Sequence, residues 1–221
     1  GLVLPSTVCT SAEPIVAALP EHSTGHVVVP LGAYVPSGTP LMWVSPAPDD
    51  DDECRHRLLD AFAIGDTRTL QQDVGFGLVQ LTDIAVRALS PGINDPSTAN
   101  DLIVHLGDVL LALWAQPTAP RRLEQDSRTL IRREPDHADH LHGAMGAIRR
   151  HGASDPTVTS TLVRTLQQVR AETLRRQLPG PIEPLDELIA AALAHADTSG
   201  WASHERDLLR RLGADQSDAA G

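Results

Sequence analysis

The spacing of apolar residues changes character once along the chain, near Cys54. Before it, "GHVVVPLGAYVPSGTPLMWVSP" sets short apolar runs between Gly and Pro. Such punctuation predicts short strands around Gly32 and a turn at Pro36-Ser37-Gly38. After it the period is helical. A short helix over residues 55 to 64 is closed by Gly65, which can supply the left-handed residue that ends a helix. In "DTRTLQQDVGFGLVQLTDIAVRAL", a 100° rotation per residue puts Leu70, Val74, Gly77, Leu78, Leu81, Ile84, Ala85 and Ala88 on one face. Thr69, Gln72, Asp73, Gln80, Asp83 and Arg87 form a polar stripe beside it. Gly75 and Gly77 weaken a helix interior, so they imply a second backbone passing close by.

Pro91 disfavours helical geometry at Ser90, Gly92 turns the chain, and Asp95-Pro96 reads as an N-cap followed by proline at the first helical position. A second helix then runs over residues 96 to 115, with Ala99, Leu102, Ile103, Leu106, Val109, Leu110, Leu113 and Trp114 inward. The two helices are expected to form an antiparallel hairpin. Further helices are expected over residues 136 to 151, 156 to 176, 183 to 196 and 203 to 212. "RTLIRRE" fits either a strand or a helix. The expected fold class is α+β, mainly α. Residues 1–48 form a small β-rich unit, 49–54 an acidic linker, 55–213 a helical domain and 214–221 a disordered tail.

Composition supports a helical core, because aromatics are only 3% of the 221 residues while apolar residues reach 41%. It also removes mechanisms. All 18 positive charges are Arg, so Schiff-base, phosphate-loop and lipoyl or biotinyl lysines are impossible. The net charge of −11 opposes electrostatic binding of nucleic acid. Cys9 and Cys54 have no metal or disulfide spacing, which points to a reducing compartment. No run approaches ~18 uninterrupted apolar residues, and "IVHLGDVLLALW" is interrupted by His105 and Asp108. A soluble region is expected, with no visible signal peptide and no start methionine, as in a piece of a longer protein.

Residues 68 to 99, "RTLQQDVGFGLVQLTDIAVRALSPGINDPSTA", carry R-T-x-x-Q-D-x-x-F-G followed by R-A-L-S-P-x-I-N-D-P-x-T-A. That pattern closely resembles the signature of a bacterial family of predicted membrane proteins of unknown function, and every signature position is matched. The upstream "GAYVPSGTPL" and "LLDAFAIGDTRT" look like the segments that precede the signature in that family. The resemblance implies a parent protein with N-terminal transmembrane helices and places this chain in the region that follows them. It implies no activity.

The candidate site joins the polar stripe to the connector: Arg68, Gln72, Asp73, Asp83, Arg87, Ser90, Asn94, Asp95 and Thr98. Carboxylates beside Arg and Asn could hold a ligand or a divalent metal, or one could act as a general base if burial raised its pKa. The structural alternative is that Asp83 and Arg87 form an i, i+4 ion pair, Asp95 caps a helix, and Arg87 is the hub that ties the connector down. Ser90 lacks a nucleophile elbow. "DHADHLH" offers His137, His140 and His142, but their facing does not match a zinc helix, and a solvated polar first turn is expected instead. No metal and no cofactor are expected. The leading reading is a noncatalytic, membrane-tethered sensory or interaction domain, soluble itself and cytoplasmic. The alternatives are a hydrolase or metal-dependent enzyme using the signature aspartates, and a structural domain that forms a homo-oligomer.

Overall fold

The computed structural model describes residues 6–8, 12–29, 34–48, 52–62, 64–65, 74–116, 122–132, 135–198 and 200–218. The fold is α+β and mainly α, as its hydrophobic periods predict. It divides into two units, Gly1–Phe76 with Thr118–Pro135 and Gly77–Pro117 with Asp136–Gly221.

The first unit holds two small sheets. Strand β1 (Ser6–Val8) pairs antiparallel with β3 (Tyr34–Val35) and with β5 (Ile64–Gly65). The larger sheet runs β4-β2-β7-β6, built from β2 (Thr24–Val27), β4 (Met42–Ser45), β6 (Arg122–Gln125) and β7 (Arg128–Arg132). Strand β7 lies parallel to β2, Gly25 opposite Leu130, and β6 folds back on β7 through the two-residue turn Asp126-Ser127. "RTLIRRE" is therefore a strand in its first five residues. Its hairpin belongs to the N-terminal sheet and not to the helical domain. The guanidinium of Arg128 fastens it there, donating to the carbonyl of Leu19 at 2.6 Å.

Among the described residues two helices complete that unit, α1 (Ala12–Ala18) and α2 (Asp52–Asp60). Ala12, Ile15, Val16, Leu19, Cys54, Leu58, Phe62 and Leu130 form its core. The acidic run does not stay a linker to residue 54. Asp52 and Glu53 occupy the first turn of α2, where the helix dipole favours negative charge, and Cys54 is buried as a free thiol.

The second unit is helical: α3 (Val74–Ala88), α4 (Pro96–Trp114), α5 (His137–His151), α6 (Pro156–Arg175), α7 (Ile182–Thr198) and α8 (Ser203–Asp218). Each of α4, α5 and α6 begins on an aspartate cap, Asp95, Asp136 and Asp155. One core joins Leu78 and Ala85 of α3 to Ile103, Leu106, Leu110 and Trp114 of α4, and to the inward faces of α5 to α8. Gly107 lets α4 pack close against α6, since an added Cβ there would lie 2.6 Å from Thr165 Cγ2. Arg170 on α6 reaches Asp186 on α7 at 2.6 Å and ties those two together.

Two expectations change here. Ile84, assigned to the inner face of α3, is 49% exposed, while Thr82 is buried and donates to the carbonyls of Leu78 and of Ala144 in α5. The C-terminal stretch continues as helix to Asp218, because Gly213 offers no stop: its backbone packs against Leu193 of α7, with a Cβ position 3.0 Å from Leu193 Cδ1.

Candidate functional site

The connector between α3 and α4 closes on itself. The amides of Leu89 and Ser90 bond to the carbonyls of Ala85 and Arg87, and the Ser90 hydroxyl also donates to the Arg87 carbonyl at 2.7 Å. The amides of Ile93 and Asn94 then both bond to the carbonyl of Ser90. Asn94 takes the left-handed conformation at φ 50°, which asparagine adopts at less cost than most side chains. That turn brings the Asp95 amide back to the carbonyl of Ala88 at 2.8 Å.

Asp95 is the N-cap of α4. One carboxylate oxygen accepts from the Thr98 amide at 3.1 Å, the other from the Thr98 hydroxyl, and Pro96 opens the helix. The hydroxyl bond and then the amide bond of Thr98 hold the Asp95 carboxyl below the usual carboxylate range, against a smaller opposing effect of burial. A lowered pKa is the reverse of what a general base for neutral pH requires.

Asp83 and Arg87 both sit exposed on α3, and no ion pair joins them among the described residues. The hub expected at Arg87 exists at its backbone carbonyl, which two groups of Ser90 satisfy, and not at its guanidinium. An orphan carbonyl at a helix end needs a donor more urgently than an exposed guanidinium needs an acceptor. Arg68, Gln72 and Asp73 lie outside the described residues, so the structure places six of the nine candidates. Of these it brings Arg87 to Ser90 and Asp95 to Thr98 by direct hydrogen bonds.

The histidine run differs from its expected solvated turn. Asp136 and Asp139 cap α5 reciprocally, each carboxylate accepting from the other's backbone amide, at 2.9 and 3.0 Å. His142 is exposed. His137 and His140 turn inward, and both ring nitrogens of His137, with Nδ1 of His140, are closed off from solvent. The signal was present: positions 137, 140, 141 and 144 repeat at i, i+3, i+4 and i+7, and Leu141 and Ala144 are buried. Among the described residues no three His, Cys, Asp or Glu side chains are grouped so as to hold a metal ion. Nor is any described helix long and apolar enough to cross a membrane.

Residues 13–168 match the family model described as a predicted membrane protein of unknown function (DUF2254). Uncharacterized proteins of Mycobacterium bovis and of two strains of Mycobacterium tuberculosis are each 37% identical over 162 residues. That alignment covers 69% of this chain but 30% of each relative, so the chain spans about a third of the proteins it resembles. No solved structure matches it. With a model that covers well over half of the residues, including the whole connector, the chain belongs to this family of predicted membrane proteins of unknown function.

Proposed function

We propose that the helical unit is a noncatalytic docking domain, presented by a membrane-anchored parent protein to a partner polypeptide. The observation that carries this reading is the use made of the signature's polar groups. Ser90, Asp95 and Thr98 are engaged in shaping the connector and starting α4, while Ile93 at its tip is left 55% exposed. Residues committed to backbone hydrogen bonds hold a shape; they are poorly placed to turn over a substrate. Ile84 on α3, next to the charged Asp83, and Val104 on α4 are further large apolar side chains about half exposed. A rigid loop with an apolar tip among charges suits recognition of a protein surface.

The test is photo-crosslinking from a benzophenone side chain at position 93 in the membrane-bound parent protein. An adduct with a distinct polypeptide, lost on Ile84→Asp or Val104→Asp but not on Trp43→Ala, is the expected result. An adduct with a second copy would transfer the reading to homo-oligomerisation. A chelator-sensitive hydrolytic activity abolished by Asp73→Asn would replace it with the enzymatic alternative.

A further inference from the structure

Trp114 closes the C-terminal end of α4 and is completely buried. Gly180 closes one side of it, since a Cβ there would stand 2.7 Å from the indole Cε3. On another side is His137, the first residue of α5, its ring centroid 6.1 Å from that of the indole and tilted 56°. The indole Nε1 and both imidazole nitrogens have no hydrogen-bond partner among the described residues and no contact with solvent. A neutral imidazole in that setting forgoes hydrogen bonds; an imidazolium would forgo hydration of a full charge, a far larger cost.

The local electrostatics point the same way. Burial, then the neighbouring His140, pushes the His137 imidazole below the usual histidine range, with Asp136 opposing. The positive end of the α5 dipole adds to the repulsion. From α4 the facing group is the uncharged indole. On α6 and α7, Arg170 pairs with Asp186 and Glu172 with Arg175, and no ionisable side chain of either helix acts on His137. His140 and Asp136, both at its own end of α5, are the charged neighbours that bear on it among the described residues.

We propose that His137 and Trp114 form an acid-released latch: the neutral imidazole packs against the indole and holds the first turn of α5 to α4, and protonation expels the ring and frees that turn. The position matters for the chain as a whole, because the connections to the β6–β7 hairpin leave the helical unit just after Trp114 and return just before His137. Release therefore frees the helical unit at the end where both connections attach.

The sign follows from proton counting. A histidine whose folded pKa is lowered binds fewer protons folded than unfolded. Its contribution is fully present above the unfolded value of ~6.5 and is lost as the pH falls through the folded value.

The full chain carrying Trp43→Phe and Trp201→Phe leaves Trp114 as the only one of three tryptophans. Its emission should be constant from about pH 9 to 7 and shift reversibly to the red below ~6.5. His137→Gln should abolish that step, and His140→Gln should keep it. Direct NMR titration of the His137 ring in the unmodified protein, which needs no variant to fold, should show protonation below 6.5 in the same window as the indole change. A His137 that titrates at or above 6.5 with the Trp114 environment unchanged, or a red shift that survives His137→Gln, would overturn the latch.

Discussion

Asp95 and Asp155 stand in the same dipeptide, Asp-Pro, and do the same physical work at the starts of α4 and α6. One oxygen of Asp155 accepts from the Thr157 and Val158 amides and from the Thr157 hydroxyl, so three donors depend on one carboxylate. Asp155→Ala should lower the unfolding free energy by ~1 kcal/mol, as loss of an N-cap does, and a urea titration with an unmoved midpoint would contradict it. For Asp95 the expected signature is in pH. Its carboxyl titrates below its unfolded value in the folded chain, so the cap is intact above ~3.9 and its contribution fades as the pH falls through that lower value. Asp95→Asn should shift the urea midpoint less at pH 3 than at pH 7; an equal shift at both would show that the charge plays no part.

Among elements, a tight constraint lies where α4 packs on α6. A methyl group at Gly107 would meet Thr165 Cγ2 at 2.6 Å and Val169 Cγ2 at 3.2 Å, both on stiff β-branched side chains. Overpacking of ~1–3 kcal/mol then outweighs the ~1 kcal/mol of helix propensity that alanine brings, so Gly107→Ala should destabilise. Gly143 in α5 has nothing within 4 Å, and there the same substitution should stabilise by ~0.5–1 kcal/mol. Opposite signs in paired denaturant titrations are the check. The helices themselves were legible in the sequence because caps, periods and proline stops act over a few residues. Asp95 and the inward row of α4 follow from neighbours within one or two turns. Strand β7 was ambiguous because its partner β2 lies far upstream, and no local signal encodes a parallel pairing of that range. The candidate site was legible only as a list of polar residues. Whether Arg87 uses its side chain or its carbonyl depends on the geometry of five residues that follow it, which periodicity does not describe.

At the scale of the molecule, chain order and spatial order are interleaved. The helical unit is left after Pro117 and re-entered at Asp136, and what lies between belongs to the other unit. Trp114 and His137 are in ring contact, so the two ends of that excursion are neighbours and a flexible linker of about six residues can bridge them. Replacing residues 118–135 with such a Gly/Ser bridge should leave a helical protein that unfolds cooperatively. Loss of cooperative melting by circular dichroism would show that the hairpin is needed for the helices to pack.

The same interleaving sets a schedule during synthesis. Strand β2 emerges from the ribosome about a hundred residues before β7, as the separation of 105 between His22 and its partner Ser127 measures. At a translation rate of roughly 5–20 residues per second, the β2 edge waits at least several seconds for its neighbour. During that interval Val27, Val44 and the rest of the half-built sheet lack Leu130, which ends completely buried. An unpaired edge of this kind invites pairing with another nascent chain. The helices α3 and α4, whose caps and turns need nothing downstream of themselves, are made while it waits.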